Sequence, residues 1–256
     1  MRKTALITGA SSGIGAEFAR QLAPRYDLLL VARSEDRLTA LQSQLASAHP
    51  DGVFRIRVVD LATPTGVHTL IDGIRDDGVA VDLLINNAGV ASHGAFIAEN
   101  PTAMLAQIQL NCLSLVSLAR ALLPPMMDRG HGGVINVAST AAFQPTPTMA
   151  VYGATKAFVL SFSEALSVET RHTGVDVLAL CPGATETGFF AATGHNFLTT
   201  GRQTPSQVVT TAMHALRRHR PVVISGSANK VKAQGYRFMP RSLLARASAT
   251  VVRERT

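Results

Sequence analysis

One pattern constrains this chain more than any other. Short apolar runs at 4–8, 27–32, 53–59, 81–85, 134–138, 175–180 and 222–225 alternate with segments of helical period at 14–23, 34–48, 64–77, 101–123, 149–171 and 205–218. Strands separated by helices build a parallel sheet with helices on both faces. The run Leu28-Leu29-Leu30-Val31-Ala32 is continuously apolar, as a strand covered on both sides must be. The last helix has its own start signal: Thr204 caps, Pro205 takes the first helical position and Gln207 completes a capping box. No linker, repeat or low-complexity run interrupts the pattern. Residues 1–256 therefore read as one domain, with 226–256 as its basic C-terminal extension.

Composition removes several classes of function. With 46% hydrophobic and 16% charged residues in 256, the chain can bury a sizeable core and is not a long disordered segment. Two cysteines, Cys112 and Cys181, are too few for a disulfide scaffold and read as core thiols. No uninterrupted apolar run reaches the roughly 18–20 residues that span a bilayer. The apolar run after Arg2-Lys3 stops at Gly9, too early for a signal peptide, so a buried strand and a cytoplasmic location are expected. Eight histidines lie scattered without metal-ligand spacing, and no metal site is expected. His93 and His195 fall in loops that border either the substrate or solvent.

The net charge of +7 is concentrated: residues 217–256 hold ten Lys/Arg and a single acid, Glu254. A uniformly basic shell, as on a nucleic-acid binder, is not present, and aromatic interleaving in the tail is limited to Tyr236 and Phe238. The tail reads either as a solvated surface or as a dock for an anionic membrane, an acidic carrier protein or a phosphate-bearing substrate. Apolar residues at 243, 244, 247 and 251 approach helical period there.

The first strand runs into Thr8-Gly9-Ala10-Ser11-Ser12-Gly13-Ile14-Gly15 and then a helix. Glycines allow a tight turn and a close approach to a pyrophosphate, and the helix start offers unpaired N–H groups. Asn86-Asn87-Ala88-Gly89 follows the fourth strand, and Asn111 lies on the next helix. Ser139 ends the fifth strand, and Tyr152-Gly153-Ala154-Thr155-Lys156 follows it by thirteen residues. Pro182-Gly183 with Thr185 and Thr187 follows the sixth strand. In order and spacing these marks resemble the short-chain dehydrogenase/reductase family, in its single-domain form, over residues 1 to about 225.

The resemblance implies a doubly wound, Rossmann-type α/β fold with a seven-stranded parallel sheet. It also implies an NAD(P)-dependent oxidoreductase moving a hydride between cofactor and a carbonyl/secondary alcohol pair. Tyr152 and Lys156 lie four apart and share a helix face. A lysine cation beside a phenol lowers its pKa from about 10 toward working pH. Ser139 would polarise the carbonyl, and Asn111, by resemblance, holds a water relaying protons from Lys156.

Cofactor contacts are expected from Gly9, Ser11, Ser12, Gly13, Ile14, Gly15, Asp60, Leu61, Asn87, Ala88, Gly89, Tyr152, Lys156, Pro182, Gly183, Thr185 and Thr187. The second strand ends in Ala32-Arg33-Ser34, with no acid to bind a ribose 2′-hydroxyl, so Arg33 favours NADP(H). Relatives that prefer NADP often carry a second basic residue in the glycine turn, where this chain has Ser12.

The segment 183–204 lacks a regular pattern and carries Phe189, Phe190, Phe197 and Leu198, which suggests an apolar lid and an apolar or acyl substrate. The helices bearing Asn111 and Tyr152 are, by resemblance, the usual subunit interface, implying a homodimer or homotetramer. Two other readings remain: a dinucleotide-binding regulator without catalysis, and a membrane- or carrier-docked lipid or acyl reductase.

Overall fold

The computed structural model describes residues 2–189 and 201–251. Seven strands form one parallel sheet: β1 (Lys3–Thr8), β2 (Tyr26–Ala32), β3 (Phe54–Val58), β4 (Leu83–Asn86), β5 (Gly132–Val137), β6 (Val175–Cys181) and β7 (Val222–Ile224). Their order is β3-β2-β1-β4-β5-β6-β7, so the chain reverses its direction of travel between β1 and β4. In open α/β sheets that switch point leaves a crevice at the carboxyl ends of the strands, where ligands bind. The register holds it shut below: Ile7 lies beside Leu30 and beside Ile85.

Side-chain alternation sorts the core into two layers. Ile7, Leu28 and Leu30 point to one face, where they meet α1 (Gly13–Leu22), α2 (Glu35–Ala48) and α7 (Pro205–Leu216) through Phe18, Leu38 and Val209. Leu6, Leu29 and Val31 point to the other, against α3 (Pro64–Asp76) and α5 (Ser114–Asp128) through Leu70, Leu118 and Met126. Val159 and Leu160 of α6 (Ala150–Glu169) pack on β6 beside them. The capping box at Thr204 is present, with Thr204 Oγ1 accepting from Gln207 N at 3.3 Å.

Two elements depart from the sequence expectation. The helix expected at 101–123 runs as α4 (Pro101–Ile108), a π turn at Gln109–Leu113, and then α5, which continues through Pro124 and Pro125. Proline removes a helical hydrogen bond, but burial of Leu122, Leu123 and Met126 holds the last turns in place. The stretch Pro101–Asp128 is 28 residues long and contains an 18-residue window with a mean hydropathy of 1.4, enough by length and composition alone to cross a membrane. Gln107, Gln109, Asn111 and Arg120 interrupt its apolar runs, and its α5 portion lies on the sheet. The basic C-terminal segment is also more regular than expected, with α8 (Ser227–Gly235) preceding α9 (Arg241–Val251).

Candidate active site

The glycine turn is fastened from below. Thr8 Oγ1 donates to Ile85 O at 3.2 Å and accepts from the backbone N–H groups of Asn87 and Ala88, both at 3.0 Å. Asn87 Nδ2 returns the contact, donating to Thr8 O at 2.9 Å and Gly9 O at 3.2 Å. The ends of β1 and β4 are thus tied into one floor. Gly9 and Gly13 adopt φ of +66° and +54°, which a side chain would strain. Ser12 precedes α1 in extended conformation and makes no side-chain cap, leaving the first-turn N–H groups to a ligand.

From this turn a cleft of about 680 Å³ runs across the carboxyl ends of the strands. That size suits a small-molecule or cofactor site. It brings together Gly9, Ser11, Ser12, Gly13, Ile14, Arg33, Asp60, Leu61, Asn87, Ala88, Gly89, Ser139, Tyr152, Lys156, Pro182, Gly183, Thr185 and Thr187. Two expected residues do not line it. A Cβ on Gly15 would stand 2.2 Å from Gly9 O and 2.6 Å from Asn87 Nδ2, so Gly15 supports the turn from beneath. Asn111, in the π turn, donates to Val90 O at 2.9 Å and Thr155 Oγ1 at 3.0 Å and accepts from Val90 N at 3.0 Å. Both its N–H donors are committed, so its side chain acts as a clasp between α6 and the loop after β4.

The reactive corner is buried. Tyr152 and Lys156 share one face of α6, and Lys156 Nζ lies 5.8 Å from the Tyr152 ring centroid. Lys156 Nζ donates to Val137 O at 2.7 Å. Ser139 Oγ accepts from Ala141 N at 3.1 Å and hydrogen-bonds the Tyr152 phenol. Burial pushes the Lys156 ammonium down to about 8. Burial likewise drives the Tyr152 phenol up to about 12, against a smaller opposing pull from the Ser139 hydrogen bond. The direction is opposite to the expected one: desolvation, not the lysine on the same helix face, sets it. The two cysteines are buried free thiols, and Cys112 Sγ meets Thr155 O at 3.8 Å.

Sequence reasoning missed three contributors. Arg37, one turn into α2, lines the cleft beside Arg33, and neither has an ion-pair partner among the described residues. The second basic residue therefore comes from α2 rather than the glycine turn. Gln144, beyond the turn that Ser139 starts, also lines the cleft, and its side-chain amide makes no hydrogen bond among the described residues. A buried chain runs from Asn86 Nδ2 to Asn136 Oδ1 and from Asn136 Nδ2 to Ser163 Oγ, both at 2.9 Å, locking β4, β5 and α6 together.

Apolar side chains close the far end. Met149, Ala91, Ala141 and Phe189 surround Tyr152, whose ring centroid lies 5.7 Å from that of Phe189. Of the expected lid, Phe190, Phe197 and Leu198, together with His195, lie outside the described residues. His93 meets Thr148 Oγ1 at 3.1 Å and does not line the cleft. No group of three metal-ligating side chains occurs among the described residues.

The residues present fit a dinucleotide. Gly9 and Gly13 are walled by Asn87 and Thr187, where a Cβ would come within 2.8 Å and 2.9 Å, so only bare backbone reaches the helix start. The family model for short chain dehydrogenases matches residues 3–196. Ketoacyl reductase HetN of Nostoc sp. is 31% identical over 226 residues, covering 87% of this chain and 78% of that protein. A short-chain dehydrogenase from Sphingobium yanoikuyae, solved in complex with NADPH, superposes with a TM-score of 0.84 at 32% identity, over 99% of this chain and 98% of that one. A bulky-bulky ketone specific alcohol dehydrogenase from Comamonas testosteroni gives a TM-score of 0.79 at 29% identity, covering 99% and 96%. With the sheet order, these matches place the chain: it belongs to the short-chain dehydrogenase/reductase family and is an NAD(P)-dependent oxidoreductase.

Proposed function

We propose that this enzyme reduces the ketone of an apolar, acyl-type substrate with NADPH. The observation that carries the reading is a single cleft with two unpaired arginines near one end and a buried Ser139–Tyr152–Lys156 corner toward the other. Arg33 and Arg37 suit a ribose 2′-phosphate, since guanidinium groups pair with phosphate oxygens; Asp60, the carboxylate in the lining, accepts from Ala62 N at 2.9 Å and forms an ion pair with neither arginine among the described residues. The NADPH held by the Sphingobium relative supports the same preference. The ketoacyl and bulky-ketone activities of the other relatives agree with the Met149–Phe189 wall. Gln144 offers an uncommitted amide for a second carbonyl, as a 3-oxoacyl chain has.

When bound, the dihydronicotinamide supplies a hydride to the carbonyl carbon. Ser139, whose hydroxyl meets the Tyr152 phenol, turns its O–H to the carbonyl oxygen when substrate enters and fixes its direction. Tyr152, protonated at neutral pH, passes its proton to that oxygen as charge develops there. The phenolate left behind faces the Lys156 ammonium and regains a proton from solvent. Lys156 also has donors left, beyond Val137 O, to hold the nicotinamide ribose. Burial keeps the phenol protonated at neutral pH, the form that serves as the acid in reduction.

We also read the whole chain as one domain that works as a homo-oligomer. Exposed Leu105, Ile108, Leu113, Phe158 and Val168 on the α4–α6 face support it. Tyr152→Phe tests the chemistry. It should bind NADPH within about threefold of wild type and reduce a 3-oxoacyl thioester about 10²–10⁴-fold more slowly. Undiminished turnover would reject Tyr152 as the acid.

A further inference from the structure

We propose that α8, the turn after it and α9 form a docking surface for an anionic lipid membrane. Both helices present one face to the protein and leave the other outside. Ala233 on α8 and Leu244 and Ser248 on α9 are buried. The outward side carries large apolar residues: Val231 is 71% exposed, Phe238 90%, Leu243 52% and Met239 43%. Among them stand Lys230, Lys232, Arg241 and Arg246, all exposed and without an ion-pair partner among the described residues. From Arg217 to Val251 the chain has no acidic residue.

Apolar side chains flanked by cations on a helix face match the boundary between acyl chains and anionic headgroups. A second copy of the chain is a poorer occupant, because a two-fold contact would set this patch against itself and oppose like charges. An acidic protein would use the cations but gives no role to a phenyl ring left 90% exposed. The surface also adjoins the cleft. Asn229 of α8 donates to Ser225 O at 2.8 Å, and its Nδ2 would meet a Cβ on Gly183, which lines the cleft, at 2.3 Å. Docking would therefore bring the cleft near the bilayer surface. That consequence matters for an apolar substrate and rests on the reductase reading; the docking itself does not.

The test is co-sedimentation of the full chain with phosphatidylcholine vesicles carrying a quarter phosphatidylglycerol, against pure phosphatidylcholine, at low and high salt. Wild type should pellet with the anionic vesicles at low salt only. Lys230→Glu/Lys232→Glu and Phe238→Glu/Leu243→Glu should each weaken binding at least about tenfold, while NADPH binding reports that both variants are folded. No pelleting of wild type at low salt would overturn the proposal. So would Phe238→Glu/Leu243→Glu binding as wild type does, since the attraction would then be to charge alone and an acidic protein would serve equally. Light scattering adds a third arm: an oligomer that dissociates in the Phe238→Glu/Leu243→Glu variant would assign the face to a second copy instead.

Discussion

The two ends of the cleft are built on different principles. At the glycine-turn end, the backbone makes the site and hydrogen bonds hold it. Thr8, Asn87 and Gly9 tie β1 to β4, and Gly15 leaves no room for even a methyl group. At the far end, side chains make the site: Met149, Phe189, Ala91 and Ala141 contribute apolar surface and Gln144 an unpaired amide. A backbone cradle tolerates almost no substitution, whereas an apolar wall tolerates exchange of similar volumes. One cofactor with many possible substrates calls for that division.

The largest expected effect breaks the first end. In Gly15→Ala the new Cβ would stand 2.2 Å from Gly9 O, a main-chain atom that the turn cannot move cheaply. The expected outcome is destabilisation by about 3 kcal/mol or more and loss of NADPH binding, read by thermal unfolding and fluorescence titration. A variant that kept both would show that the turn is looser than its hydrogen bonds imply.

The reactive corner lies between the two ends, and its burial gives a pH signature. Lys156 titrates at about 8 when folded, below its ordinary 10.5. Between those values the unfolded chain holds a proton that the folded one lacks, so this group makes stability rise with pH from about 8. Burial shifts other groups the opposite way: the Cys112 thiol from 9 to about 11, the Cys181 thiol from 9 to about 12, the Tyr152 phenol from 10 to about 12, and Tyr26 and Tyr236 upward as well. Above about pH 9 the folded state holds the extra protons, two thiols against one lysine, and stability falls. Urea unfolding of the cofactor-free protein should therefore show a maximum near pH 9, with a rise on the order of 1 kcal/mol on its acid side. Lys156→Met should flatten that rise and leave the alkaline fall.

A smaller effect sharpens the contrast by cofactor. Arg33→Ala and Arg37→Ala should each weaken NADPH binding about tenfold, the loss of one charge-assisted contact, and leave NADH binding unchanged. Equal losses for both dinucleotides would place the arginines on the shared part of the cofactor.

Legibility in the sequence follows the same division. Features set by neighbours along the chain could be read: the glycine turn, the Tyr152–Lys156 spacing, the Thr204 cap and the seven strands. Features set by distant packing could not. Arg37 looks like a solvated helix position until α2 is placed beside the cleft. The Asn86–Asn136–Ser163 chain joins residues up to 77 apart in sequence. The raised Tyr152 pKa depends on depth of burial, which spacing does not reveal. α8 was missed because its apolar residues are few and most of its polar surface faces out.

The smallest expected effect uses the first substitution again, at the other end. Gly188 lines the cleft beside Phe189, yet nothing lies within 4 Å of the position its Cβ would take. Its φ is not in the left-handed region, so alanine fits the backbone it already has. Replacing glycine there removes freedom from the unfolded chain without adding a clash. Gly188→Ala should therefore stabilise the protein by about 0.4–1 kcal/mol and leave NADPH affinity within experimental error. The measurement is a paired unfolding curve and titration against Gly15→Ala. Destabilisation by Gly188→Ala would mean that this end is as closely built as the glycine turn, and the division between backbone cradle and side-chain wall would not hold.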